Sequence, residues 1–282
     1  NNVYLTIDET IQSICEKYMQ KGVEDNNVLN KGVCIAMDVN TGAILAMVTT
    51  DGYDLNNPYE LSAKDKKKIK STAKSKQAEA ESAALSAMWR NKAVADTYMP
   101  GSVFKMCVAS AALEENLVNE KTSFTCTGSI EVEGETIHCS NISGHGTQNF
   151  VEVISNSCNP AFIQIGQMLG AGKFRQYYQG FGFSDKTGID LPGEAEDSFW
   201  KEGKMGGVDL AVASFGQNFT ITPIQMITAC AAVSNGGYVV QPHVVSKITD
   251  SKGNVIKSVD KKIKRQVISD DTSKKMNEYL EY

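Results

Sequence analysis

Apolar positions along the chain change their spacing repeatedly, and each change marks an element. Residues 1–8 begin extended and read as a strand. Behind Asp8, a carboxylate suited to capping, Ile11, Ile14, Cys15 and Tyr18 recur at helical spacing and predict a helix over 8–19. Residues 33–39 and 43–48 are two β-rich runs around Asn40-Thr41-Gly42 and read as a hairpin, apolar enough to be covered by helices. A helical pattern occupies 79–95, and Pro100-Gly101 then interrupts the chain. Residues 103–116 are almost wholly apolar, which predicts a helix buried on all sides, with Ser102 as its cap at the positive end of the dipole. The stretch 117–149 is rich in Gly, Ser and Thr and reads as strand and loop. Helical patterns resume over 150–169, 172–180, 207–216 and 222–235, residues 238–248 look extended, 250–254 form a turn, and a last helix spans 270–282.

Helices outnumber strands, no βαβ alternation appears and no repeat of solenoid period is present, so the fold class is α+β. The early hairpin supplies two strands, a poor sheet alone, so its partners are expected beyond Tyr282 and the chain, residues 1–282 of one domain, is expected to be incomplete.

Composition narrows the function. The 282 residues are 41% hydrophobic and 22% charged, an ordinary globular mixture, and a net charge of -5 offers no field for nucleic acid. The lysines between Lys64 and Lys70 read as a solvated face. No apolar run is long enough to span a bilayer and no signal peptide opens the chain, so it reads as a piece of something longer or as a soluble protein.

Two short motifs carry candidate chemistry. Ser102-Val103-Phe104-Lys105 fits S-x-x-K, which on a helix puts amine and hydroxyl on one face. Serine needs a neighbouring base to become a nucleophile, and a lysine desolvated in an apolar helix can accept its proton. Ser157-Cys158-Asn159 fits S-x-N, in which a second hydroxyl could relay a proton to a leaving amine and an amide could hold a substrate carbonyl. Each motif alone is weak, since a capping serine and a polar turn before Asn159-Pro160 would explain them.

Their context strengthens both. Leu5-Thr6-Ile7-Asp8, Asp38-Val39-Asn40-Thr41-Gly42-Ala43-Ile44, Tyr98-Met99-Pro100-Gly101-Ser102-Val103-Phe104-Lys105, Asn156-Ser157-Cys158-Asn159-Pro160, Gly188-Ile189-Asp190-Leu191-Pro192-Gly193-Glu194 and Gly216-Gln217-Asn218-Phe219-Thr220-Ile221-Thr222-Pro223 together resemble the class B penicillin-binding proteins, in the family's order. The resemblance implies a β-lactamase/transpeptidase-like fold, an antiparallel sheet flanked by helices with a helical subdomain. It implies that Ser102 is acylated, that Lys105 is its base, and that Ser157 and Asn159 line the facing wall. The donor would be a stem peptide of peptidoglycan ending in D-Ala-D-Ala, the acceptor an amine of a neighbouring stem, and β-lactams would block Ser102. It further implies an extracytoplasmic domain, membrane-anchored in the full-length protein, working beside a glycosyltransferase, with no cofactor for catalysis. Lys186-Thr187-Gly188 is a decoy for the family's third motif: it precedes the Gly216-Gln217 segment, whereas the motif should follow it, beyond Tyr282. A β-lactamase or β-lactam sensor on the same fold, or a non-catalytic scaffold in a wall-synthesis complex, are the alternatives.

Cysteine usage adds a separate possibility. The seven cysteines are scattered without a disulfide framework, but Cys126, Cys139 and His145 share a loop-rich stretch, with His138 and Cys158 near by. Thiolates and imidazole suit a tetrahedral structural Zn2+ whose fourth ligand would be His138, Cys158 or an acidic residue. A Cys126–Cys139 disulfide or free thiols are the competing readings.

Overall fold

The structure is a computed structural model that describes residues 1–28, 32–50, 52–195 and 199–281. Strand β1 (Asn2–Leu5) leads into α1 (Glu9–Asp25), which starts where Asp8 Oδ1 accepts from the Ile11 amide at 2.9 Å, the cap the sequence predicts. The hairpin follows as β2 (Val33–Met37) and β3 (Ile44–Thr49), antiparallel, with Val33 opposite Thr49 and Met37 opposite Ile44. Ile44, Ala46 and Val48 alternate into the core, so β3 buries one face with period two. Helix α1 is tied to it by Gln12, whose side chain accepts from the Met47 amide at 2.8 Å.

Helices α2 (Ala63–Lys70) and α3 (Gln77–Trp89) bury no side chain, and the lysine-rich stretch lies on α2 as a solvated face. The single helix expected over 79–95 is divided: Asn91 caps a separate short helix, α4 (Lys92–Ala95), whose three alanine and valine side chains are buried.

A 3-10 turn over Gly101–Phe104 runs straight into α5 (Lys105–Glu114). Ser102 therefore does not cap α5, contrary to expectation. Phe104, the residue before the helix, is already helical in its backbone angles, so the chain has no extended residue there from which a side chain could turn back onto an amide. Burial is as expected, with eight of the ten residues of α5 inside.

Strands β4 (Ser123–Cys126), β5 (Ser129–Val132), β6 (Glu135–His138) and β7 (Gly146–Asn149) form nested antiparallel pairs, β5 with β6 inside β4 with β7. Helix α6 (Phe150–Ser155) begins with a reciprocal cap between Asn149 and Glu152 and stops before Ser157. Helix α7 (Asn159–Gly180) starts with Pro160 in its first turn. The predicted break near 170 is only a kink at Gly170, and the true break falls at 156–158, inside the second motif. Helix α8 (Gly207–Ala213) and helix α9 (Pro223–Ser234), the latter capped by Thr222 and Gln225, complete the interior.

The chain closes with β8 (Tyr238–Val240), β9 (Val245–Thr249), β10 (Val255–Ser258), β11 (Ile263–Gln266) and α10 (Asp270–Leu280). Tyr282, the last residue of the predicted terminal helix, lies outside the described residues. The strands near both ends find each other: β9 pairs with β1 and β10, and β8 with β11. The pair β2–β3 remains two-stranded among the described residues.

The largest core cluster joins α5, α7 and α9. At its top Phe104 packs its ring against Phe219 (4.9 Å between centroids), Phe183 (5.3 Å) and Phe174 (6.0 Å). Ring contacts in this range add stabilisation beyond area burial. Phe104, one of the two residues between Ser102 and Lys105, thus anchors the turn that carries both.

Candidate active site

The first motif sits where the 3-10 turn enters α5. Its backbone is held from the far side by the segment before α9. Tyr98 and Ile221 exchange two main-chain hydrogen bonds (2.9 and 3.0 Å), and the Gly101 amide donates to the Gly216 carbonyl at 2.9 Å. Gly216 has φ +81, and a Cβ there would lie 2.0 Å from the Gly101 carbonyl oxygen. Only glycine permits this approach. Two segments that the sequence flagged separately are therefore one piece of scaffold.

Lys105 is 4% exposed. Its amine donates to Asn159 Oδ1 at 2.6 Å, to the Ser157 carbonyl at 2.7 Å and to Ser157 Oγ at 2.9 Å. It also lies 5.3 Å from the centre of the Phe162 ring. Burial lowers its pKa to about 8, against the opposing pull of Cys139 and Cys158. The two motifs, more than fifty positions apart, thus meet at one amine. The spacing of S-x-x-K led us to expect Lys105 to reach toward Ser102; here its bonds go to the second motif. Ser102 is exposed, and its hydroxyl has no hydrogen-bond partner among the described residues.

Ser157 occupies the left-handed region (φ 49) between α6 and α7. A non-glycine residue held there costs on the order of 1–3 kcal/mol and persists only where its surroundings fix it. Here the fixing groups are the Lys105 amine, on both Ser157 oxygens, and the helix that begins at Asn159.

Directly behind the second motif, Cys126, Cys139, His145 and Cys158 bring their ligand atoms within 4.8 Å of one another. The three cysteines are buried and the histidine half-buried. The sequence proposed the first three and left the fourth among His138, Cys158 and an acidic residue. The structure brings in Cys158 and leaves the His138 side chain out of the group. Bonds of about 2.3 Å in a tetrahedron place ligand sulfurs ~3.8 Å apart, so the donors need close by only about an ångström to hold a zinc-sized ion. Cys139 Sγ and His145 Nδ1 are already 3.5 Å apart. The crossing of loops that makes this possible depends on Gly144 (φ +80), where a Cβ would meet the Cys126 carbonyl at 2.4 Å. All seven cysteines carry free thiols, so the Cys126–Cys139 disulfide reading is not what the structure contains.

Burial would raise the Cys139 thiol, but backbone amides of Asn141 and Asn159, with Cys126 and Ser140, outweigh it and hold the thiol below its usual value. Cys158, which belongs to both, ties this cluster to the second motif. Burial pushes Cys158 up to about 12, against donors from Ala161 and Gln148.

The decoy triplet is spent elsewhere. Thr187 is buried, and its amide (2.6 Å) and hydroxyl both bond the Glu194 carboxylate. The Gly188 amide bonds the other carboxylate oxygen, and Asp190 accepts from the Val244 and Val245 amides. Lys186-Thr187-Gly188 is a closed structural turn, as the order of motifs suggested.

Residues 32–282 match the family model described as the penicillin binding protein transpeptidase domain. Stage V sporulation protein D of Bacillus subtilis is 34% identical over 98% of this chain and 40% of its own length. The peptidoglycan D,D-transpeptidase FtsI homolog of Mesostigma viride is 28% identical over 94% of the chain and 42% of its own. The crystal structure of PBPA from Mycobacterium tuberculosis superposes with a TM-score of 0.81 at 25% identity, covering 99% of this chain and 63% of that one. Penicillin binding protein 3 of the same organism, solved in complex with aztreonam, also reaches 0.81, at 24% identity over 99% and 57%. The chain belongs to the transpeptidase domain family of the class B penicillin-binding proteins. It has the mixed α+β transpeptidase fold that the resemblance implied, and it spans about two-fifths of the length of these curated relatives. Among the described residues no helix is long and apolar enough to cross a membrane.

Proposed function

We propose that this domain is a serine D,D-transpeptidase that cross-links peptidoglycan stem peptides. The carrying observation is the meeting of both motifs at the buried Lys105 amine, whose three acceptors all belong to Ser157 and Asn159. Ser102 Oγ attacks the carbonyl of the penultimate D-Ala, and its proton passes to neutral Lys105. The tetrahedral adduct collapses, the C–N bond breaks, and the terminal D-Ala leaves with a proton relayed from Lys105 through Ser157. An amine of a neighbouring stem then attacks the Ser102 ester, forms the cross-link and restores the hydroxyl. The Asn159 amide aligns the donor peptide. β-Lactams enter as donor mimics and stop at the ester. The reading extends to an extracytoplasmic setting, anchored to the membrane in the full-length protein, beside a glycosyltransferase that supplies the strands carrying these stems. The peptidoglycan D,D-transpeptidase named among the curated relatives supports the extracytoplasmic part of this setting.

Catalysis needs no cofactor. We also propose a structural zinc ion held by Cys126, Cys139, His145 and Cys158, supported by four soft donors converging from separate turns. Such an ion fixes the Cys158 end of the S-x-N turn and takes no part in acyl transfer.

Intact mass after incubation with benzylpenicillin tests the first reading. A stable adduct that maps to Ser102, and is absent from Ser102→Ala, is expected. No adduct on the folded wild-type chain, or one that survives Ser102→Ala, overturns it.

A further inference from the structure

Among the described residues one buried side-chain polar atom has no hydrogen-bond partner, Gln148 Nε2. Gln148 lies on β7 opposite Phe124 of β4 and is 4% exposed. Its other end is taken, because Oε1 accepts from Asn156 Nδ2 at 2.8 Å. Leaving a donor buried and unpaired costs about 1–3 kcal/mol, so a native structure that keeps one has a use for it. Gln148 shares the buried face of the β4–β7 pair with Cys126, and its bond to Asn156 holds it two residues from Cys158, so the unpaired amide end lies beside the cluster. Gln148 thus lies between Asn156, which precedes the S-x-N motif, and Cys158, which is inside it.

We propose that Gln148 is a positioning residue for the metal centre, its Nε2 donating to the Cys158 thiolate once zinc is bound while its Oε1 holds Asn156. The inference rests on the zinc reading above. A neutral thiol has little need of a donor, whereas a metal-bound thiolate can only accept. A glutamine fixed by Asn156 presents its N–H end without further rearrangement. Outer partners of this kind orient ligands, and their loss typically weakens metal binding by about 10- to 100-fold. Because one amide grips both the ligand and the residue before Ser157, metal occupancy and the shape of the second motif are set together.

Two variants separate the two ends of the amide. Gln148→Glu keeps an oxygen for Asn156 but turns a carboxylate toward the sulfur. Gln148→Met keeps the volume and removes both bonds. Zinc affinity is measured by chelator competition on the purified chain, and cobalt(II) replaces zinc for spectroscopy. Both variants are expected to bind zinc about 10- to 100-fold more weakly, with Glu at least as weak as Met. The thiolate-to-cobalt charge-transfer band is expected to move to longer wavelength in both, because the sulfur has lost a donor. Wild-type affinity and an unshifted band in both variants overturn the inference and leave the zinc reading intact; a buried water would then be satisfying Nε2. A wild-type chain that holds no zinc at all overturns both.

Discussion

The two walls that meet at Lys105 are made of opposite materials. On one side Ser102 and Lys105 ride on a turn and helix sunk into the aromatic cluster around Phe104. That wall is held by apolar burial and needs no ligand. On the other side Ser157 and Asn159 follow four short strands of four residues each, with polar faces and glycine turns. Phe124 and Val132 are the large apolar side chains buried in these strands, and Phe150 and Phe162, on the helices either side of the motif, join that wall to the main core. Its fixed points are the Lys105 amine and the Cys/His cluster. A site whose walls differ in this way should fail differently when each is weakened.

The largest expected effect lies where the walls join. Lys105→Met removes both the proposed base and the common partner of Ser157 and Asn159, and should slow acylation by a fluorescent penicillin roughly a hundredfold to ten-thousandfold. Next is the aromatic wall. Phe104→Ala should cost about 3–5 kcal/mol of stability, read from denaturant melts, and the loss should be the same with or without chelator. A smaller effect is expected on the facing wall. Zinc at a hundred times its Kd should stabilise the wild type by about 2.7 kcal/mol, and Cys139→Ser should abolish both this zinc dependence and the bound metal. Equal chelator sensitivity of the wild type and Cys139→Ser would erase the contrast between the walls. The mildest probe is pH. Burial lowers the Lys105 pKa to about 8, and in the proposed mechanism the neutral amine is the base, so protonation at lower pH should suppress the reaction. The acylation rate should rise about tenfold per unit up to that value and level above it. A flat profile between pH 6 and 9 would remove Lys105 from the role of base.

How legible each wall was in the sequence follows the same division. The buried helix, its apolar run and the S-x-x-K turn could be read directly, because burial writes itself as hydrophobic spacing. Only the start was misjudged: Ser102 looked like a cap, but helical angles at Phe104 leave no place for one. The facing wall was legible as chemistry and not as shape. Cys126, Cys139 and His145 stood out by residue type, yet choosing Cys158 over His138 required the fold, since the residues are brought together by loop crossings rather than by period. Gln148 gave no signal in sequence at all, because a lone glutamine in a polar strand has nothing to distinguish it. The partnership of Lys105 with Ser157 and Asn159 rather than with Ser102 is likewise a property of tertiary packing. Strand pairing between the two ends of the chain, β1 with β9, was missed because short exposed strands lack a one-sided apolar pattern.

The main-chain ladder between Tyr98 and Ile221, with Gly101 against Gly216, bears on how the molecule comes into being. A chain emerging from the ribosome makes the serine turn long before the segment that braces it. Loop closure of such length is slow and depends on long-range pairing. A nascent chain that stops before Gly216 therefore carries the complete S-x-x-K and S-x-N motifs without the frame that seats the first of them. Chemical competence arrives late in synthesis, as a consequence of where the glycines fall in chain order.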